Sequence, residues 1–164
     1  MLYENILNEL EKNNVKYLVI GGIAVNLYGY QRVTKDLDIM LSFEKENMEK
    51  FVKIVTSLGL KPRVPVDIEE LADKNKRELW IKEKNMKVFS FYNPQNDLEY
   101  IDVMILEDIN FDESYLHKRI MHDGRITTSV VSIDDLITLK EAANRPRDKA
   151  DLEILKKIKE KYYG

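Results

Sequence analysis

Two aspartates stand two residues apart, Asp36 and Asp38, downstream of a glycine pair. The pair Gly21-Gly22 ends the apolar run Tyr17-Leu18-Val19-Ile20, and thirteen residues separate it from Asp36. A strand alternates its side chains, so a strand over 32–42 puts Arg32, Thr34, Asp36 and Asp38 on one face and Leu37, Ile39 and Leu41 on the other. One face is built to pack, and the other carries adjacent negative charges. Like charges that close destabilise a fold unless something positive lies between them. A hard divalent cation with oxygen ligands is the usual solution. The pattern therefore points to metal-dependent phosphoryl or nucleotidyl transfer. The plainer alternative is that the aspartates cap a turn or pair with Arg32 and Lys35. Arg32 reads equally as a phosphate contact or a solvated strand start, and Thr34 as a structural hydrogen-bonding residue.

A metal site of this kind needs a third carboxylate. Asp102 sits inside the apolar stretch Tyr100-Ile101-Asp102-Val103-Met104. A charge there costs free energy unless it is paired or bound to metal. Period two places Asp102 with Tyr100 and Met104, whereas Glu99 falls on the face of Ile101 and Val103. Three carboxylates converge if this strand neighbours the one carrying Asp38. The glycine pair has a separate task. Glycine lets a backbone approach a ligand closely, and a helix start beyond it offers free N–H groups to a triphosphate. Neither a Walker loop nor a dinucleotide fingerprint occurs.

The elements that must position these residues follow from periodicity. Ile6, Leu7 and Leu10 predict a helix over 3–13, stopped by Asn13-Asn14. Val15 to Ile20 reads as a strand, Ile23 to Tyr28 as a short helix closed by Gly29, and 32–42 as the aspartate strand. Met48, Phe51, Val52, Val55 and Leu58 line one stripe of a helix over 44–58, with Ser42 available to cap its start and Gly59 as its C-cap. After Pro62 and Pro65, residues 67–84 read as one helix, although Leu79-Trp80-Ile81 would also suit a strand. Met86 to Tyr92 and Leu98 to Leu106 read as strands around an Asn93–Asp97 turn. Ile126 to Val131 is the last strand. Ser132 caps a helix to Ala143, and Arg147 to Tyr162 forms the terminal helix. Asp148 and Asp151 suit the dipole of its first turn. The expected fold is a single α/β (α+β) domain over 1–164: a mixed sheet flanked by helices, its core at about 15–131 and C-terminal helices at about 132–162.

Composition narrows the chemistry further. With 164 residues, 44% of them hydrophobic, the chain can build one real core. It has no cysteine, which removes disulfides, thiol nucleophiles and thiolate zinc sites, and its two histidines do not suggest a histidine metal centre. The net charge of −3 provides no global basic field for nucleic acid, so only a local patch would serve. Nothing resembles a signal peptide or a membrane span, and the expected location is cytoplasmic.

Taken together, Gly21-Gly22, Asp36-Leu37-Asp38 and the later Asp102 strand resemble the nucleotidyltransferase superfamily of DNA polymerase β. Gly22-Ile-Ala-Val and Arg32-Val-Thr34-Lys-Asp36-Leu-Asp38 are similar to its small prokaryotic members, including the abortive-infection toxin, lincosamide, aminoglycoside and minimal antitoxin types. Asp135-Leu-Ile-Thr-Leu-Lys140 and Arg145-Pro-Arg147-Asp148-Lys-Ala-Asp151-Leu resemble the closing helices of the toxin-type group. The resemblance spans most of 15–155. It implies a two-metal mechanism with Mg²⁺ or Mn²⁺ held by Asp36, Asp38 and Asp102, and an NTP seated by Gly21, Gly22, Arg32, Thr34 and Lys140. Asp102 would hold the catalytic ion and assist deprotonation of the acceptor hydroxyl. Lys140 would touch phosphate or acceptor, with Arg145 and Arg147 as further candidates.

The acceptors implied are an RNA 3′ end (tRNA included), a partner protein or a small molecule. The alternative is a toxin–antitoxin component or degenerate nucleotidyltransferase that mainly binds a partner, completed by that partner or as a homodimer. Three clustered carboxylates argue against degeneration. A metal-dependent phosphohydrolase is a third reading. His117, His122, Trp80 and the terminal lysines read as ordinary packing or solvated residues.

Overall fold

The computed structural model describes residues 2–164, with the side chain of Leu2 left aside. Among the described residues, seven strands form one mixed sheet, and seven α-helices pack around it. Helix α1 (Leu2–Lys12) precedes β1 (Tyr17–Ile20), and α2 (Gly21–Leu27) starts directly from it. Strand β2 (Leu37–Leu41) leads into α3 (Lys45–Ser57) and the two-residue β3 (Lys61–Pro62). A 3₁₀ turn (Ile68–Ala72) and α4 (Lys74–Lys84) follow, then the hairpin β4 (Val88–Asn93) and β5 (Asn96–Met104). The chain closes with α5 (Phe111–Leu116), β6 (Arg119–Asp123), β7 (Ile126–Val130), α6 (Ile133–Ala143) and α7 (Asp148–Tyr162).

Strand order is β3-β4-β5-β2-β1-β7-β6. The two parallel pairings, β2 with β5 and β1 with β7, join elements distant in sequence. Alternation gives the sheet two unlike faces. Val19, Leu37, Ile39, Phe89, Phe91, Ile101 and Val103 are essentially fully buried. Phe51 of α3 meets Phe91 edge-on at 5.7 Å, and Trp80 of α4 lies 5.5 Å from Phe89, so these helices cover that face. On the other face of β4 and β5, Val88, Ser90, Tyr92, Tyr100, Asp102 and Met104 are only half-buried.

Several expected elements differ. Ladder pairing begins at Leu37, so 32–36 is not hydrogen-bonded strand and Asp36 precedes β2. Burial still alternates there: Arg32, Thr34, Asp36 and Asp38 are half-buried, while Gln31, Val33 and Lys35 are exposed. The segment is thus extended, with the predicted facing but no neighbour to complete a ladder. The single helix expected over 67–84 is two pieces, because Asp73 turns out of helical geometry and caps Asn75 and Lys76 with its carboxylate. Trp80 is helical rather than extended. Ser42 lies two residues before the N-cap position of α3, Glu44, and accepts from the Glu44 amide at 3.4 Å. Ser132 caps α6 as expected, accepting from the Asp135 amide at 3.1 Å. α5 and β6 lie in a segment for which periodicity suggested no element.

Candidate active site

The site forms where four strands present one row of residues. Ile20 of β1 pairs with Asp38 of β2, Asp38 with Asp102 of β5, and Asp102 with Ser90 of β4. Register partners on neighbouring strands share a face, so the parallel β2–β5 pairing sets Asp38 and Asp102 side by side. Ser90 Oγ donates to Asp102 Oδ1 at 2.5 Å. Asp36, one step before β2, adds its charge to both neighbours.

Their electrostatics record this crowding. Burial pushes the Asp38 carboxyl up to about 7, and the charges of Asp102 and Asp36 push the same way, against the pull of Arg145 and Lys140. Asp102 is raised mainly by burial and further by Asp36, while the Ser90 hydrogen bond and Arg63 work in the opposite direction. Among the described residues no lysine, arginine or histidine forms an ion pair with Asp36, Asp38 or Asp102. Nor do any three carboxylate, histidine or cysteine side chains among them form a ready-made metal-binding group. Three adjacent, unpaired carboxylates are nevertheless the oxygen donors that a hard divalent cation takes.

The glycine pair serves this cluster directly. Gly21 has φ +66°, and a Cβ there would collide with Asp38 Oδ2 and lie 2.9 Å from Asp38 Cβ. A Cβ at Gly22 would lie 2.7 Å from Thr34 Oγ1 and 3.0 Å from Arg32 Nη2. Both positions thus leave room for site side chains laid over the strand-to-helix turn. Helix α2 starts at Gly21, two residues earlier than expected, so the glycines are its first residues.

Lys140 is buried, and its charge still acts on Asp38. It is 3% exposed, and its Nζ donates to Asp148 Oδ1 at 3.1 Å and Asp151 Oδ2 at 2.9 Å. Asp151 also accepts from Arg32 Nη2 at 2.9 Å, and Asp148 from Arg145 Nε at 2.8 Å. The ammonium is therefore held by two carboxylates, which accounts for its burial. Asp148 and Asp151 do more than favour a helix dipole: they are 1% and 2% exposed and bind three cations between them. The Nε of Arg32 is buried without a hydrogen-bond partner. Arg147, by contrast, is exposed.

Solved structures share this arrangement of elements. A lincosamide antibiotic adenylyltransferase, LnuA, in its lincomycin-bound crystal structure, superposes with a TM-score of 0.60 at 18% identity, covering 93% of each chain. The fold is that of the nucleotidyltransferases. ANT(2″)-Ia in complex with adenylyl-2″-tobramycin matches with a TM-score of 0.57 at 16% identity, over 94% of this chain and 84% of that one. JHP933 from Helicobacter pylori matches with a TM-score of 0.53 at 14% identity, over 99% of this chain and 64% of that one. No family sequence profile and no curated protein sequence matches the chain.

Sequence reasoning passed over Ser90, Arg63 and the clamping role of Asp148 and Asp151. Ser90 carried a usable signal, being a lone hydroxyl between Phe89 and Phe91, as Asp102 is a lone charge between Ile101 and Val103. The Lys140 clamp carried little, because a lysine on one helix and two aspartates on the next are also what solvated helices show.

Proposed function

We propose that the chain is a divalent-cation-dependent nucleotidyltransferase, moving a nucleoside monophosphate from an NTP to a hydroxyl. The observation that carries this reading is the Asp38–Asp102 register pair, flanked by Asp36 and seated over the Gly21 turn. Asp36, Asp38 and Asp102 would hold Mg²⁺ or Mn²⁺. When bound, the cation neutralises charge on the triphosphate and on the leaving pyrophosphate.

The chain's own residues do the rest. The acceptor oxygen bonds to the α-phosphorus as the α–β phosphoanhydride bond breaks, and pyrophosphate leaves. Asp102, held ionised and beside the attacking oxygen, takes the hydroxyl proton. Arg32 stands over Gly22 with an unused buried Nε–H, a donor for a phosphate oxygen. Thr34 offers a hydroxyl at the same turn. Lys140 acts indirectly, holding the carboxylate that anchors Arg32. Most of the rate gain then comes from positioning and charge stabilisation.

Thermal unfolding with each of the four NTPs, with and without Mg²⁺, tests the reading on wild type and Asp38→Asn. A ligand present at a hundred times its Kd stabilises the native state by about 2.7 kcal/mol. A rise in Tm that needs both Mg²⁺ and NTP, and that Asp38→Asn abolishes, is the expected result. No rise with any NTP, or a rise untouched by Asp38→Asn, would overturn it.

A further inference from the structure

The two edges of the sheet are finished differently. At one end β3 is two residues long and contains Pro62, which has no backbone N–H to offer a further strand. At the other end β6 has five residues, pairs with β7 in unbroken register, and contains neither proline nor lysine. Arg119, Ile120, His122 and Asp123 are exposed, and Met121 is half-buried. Only Gly124, at φ +58°, and Arg125 join the two strands, so the turn makes Asp123 and Ile126 a hydrogen-bonded pair. Alternation makes Met121–Thr128 and Arg119–Val130 hydrogen-bonded pairs as well, and it turns the N–H and C=O of Ile120 and His122 outward. Among the described residues no backbone group outside the ladder bonds to either. An edge of this kind is a template for another strand.

The sequence of this edge fits one partner in particular. Arg119-Ile120-Met121-His122-Asp123 carries a positive charge at one end, a negative charge at the other, and none between at pH 7. Laid antiparallel on itself about Met121, it sets Arg119 opposite the partner's Asp123 at both ends of the seam. The two methionines meet at the two-fold axis, and Ile120 faces the partner's His122. Ile120 and His122 are the residues whose backbone groups point outward, so the hydrogen-bonding phase agrees with the charge pairing. Other alignments lose this match. Pairing about His122 sets Arg119 against the partner's Arg125, pairing about Ile120 sets Arg119 against the partner's Met121, and parallel pairing sets like charges side by side. Leu116, 82% exposed, and Ile120, 50% exposed, add apolar surface just before and within the edge. We infer that β6 is a docking edge for a second copy of this chain, joining two sheets into one of fourteen strands, seven from each copy. An isologous contact is closed, so it yields a dimer and not a filament. Five residues rise about 17 Å, and so short a seam belongs with the small, reversible interfaces. β6 lies three strands from β2, so the pairing does not depend on the carboxylate site or on the function proposed for it.

Sedimentation velocity on the full chain tests the edge, over a roughly hundredfold range of concentration reaching about 1 mM, as a small interface requires. Wild type should pass from monomer towards dimer as concentration rises. Arg119→Glu meets like charge at the partner's Asp123, and Asp123→Arg meets it at the partner's Arg119. Each variant alone should associate about tenfold or more weakly than wild type. An equimolar mixture of the two restores opposite charges at both ends of the seam, and it should associate as wild type does. Ile120→Pro removes an outward N–H and no bond of the β6–β7 ladder, so it should abolish association while circular dichroism shows the monomer folded. Arg119 also lies over the Tyr163 ring, 5.0 Å from its centroid, so Asp123→Arg and Ile120→Pro keep the test open if Arg119→Glu disturbs the fold. A wild type that stays monomeric at the highest concentration would overturn the inference. So would a dimer that Ile120→Pro leaves intact, or a mixture of the charge variants that associates no better than its components.

Discussion

Asp38 bears the cost of the site. Its carboxyl is largely buried beside two others, and its pKa in the fold is about 7 against 3.8 for the free side chain. A group raised in this way contributes stability that is fully present below its unfolded pKa and is lost as pH rises through its folded pKa. In metal-free protein, ionising Asp38 should therefore become steadily more destabilising from about pH 4 to about pH 7. Asp38→Asn removes the charge and keeps the shape. Its unfolding free energy should match that of wild type near pH 4 and exceed it at pH 8, by an amount on the order of a few kcal/mol, with Tm moving the same way. Tm measured across that range in EDTA checks this, and a wild type more stable than the variant at pH 8 would contradict it. Adding Mg²⁺ should narrow the gap, because a bound cation favours the ionised carboxylates. Function at the expense of stability is the general pattern for such clusters.

At the level of elements, the strands around Asp38 and Asp102 were largely legible, because period-two patterning and lone charges in apolar runs are local signals. Which strand lies beside which was not, since the β2–β5 pairing joins residues more than sixty positions apart. The edge strand β6 escaped because Arg119-Ile120-Met121-His122-Asp123 is mostly exposed and so carries no burial pattern. The break at Asp73 escaped because its cap bonds compete with helix continuation only locally. Least legible was the join between α6 and α7, where Lys140 meets Asp148 and Asp151. Removing one member of a buried ion network leaves the others uncompensated, at a cost of about 3–5 kcal/mol. Lys140→Met should lower stability by that order, far more than Lys157→Met, whose ion pair with Glu153 is exposed. The same join should set an acid limit. Burial alone would raise Asp148, but hydrogen bonds from Arg145 and Lys140 outweigh it and hold the carboxyl at about 2. A lowered carboxylate contributes stability above its unfolded value of 3.8 that is lost as pH falls through about 2. Urea unfolding between pH 5 and pH 2 should show this loss in wild type and a much weaker one in Asp148→Asn.

Across the whole molecule, α7 connects parts that the sheet alone leaves separate. Its first turn holds Arg32 and Lys140 through Asp151 and Asp148. Leu155, midway along, is fully buried. Lys159 pairs with Asp134 of α6 at 2.6 Å, and just past the helix Tyr163 meets Tyr28 edge-on at 5.7 Å and lies under Arg119 of β6. Fifteen residues rise roughly 22 Å, enough to run from the site to the β6 edge of the sheet. Without α7, the Arg32 guanidinium loses its ion pair, and the extended 30–36 segment, which has no ladder of its own, keeps only the Asn26 bonds to the Arg32 backbone, the Tyr30–Val25 backbone bond and the packing of Tyr30. Lys140 would meanwhile lose both of its carboxylates. A chain ended after Asn144 should therefore lose more than the contacts of one helix. Its thermal transition should broaden and shift down, and its Tm should not respond to Mg²⁺ and NTP even at temperatures where helix content persists by circular dichroism. If the truncated chain still responded to nucleotide, α7 would be a brace for the sheet and not part of what sets Arg32 over Gly22.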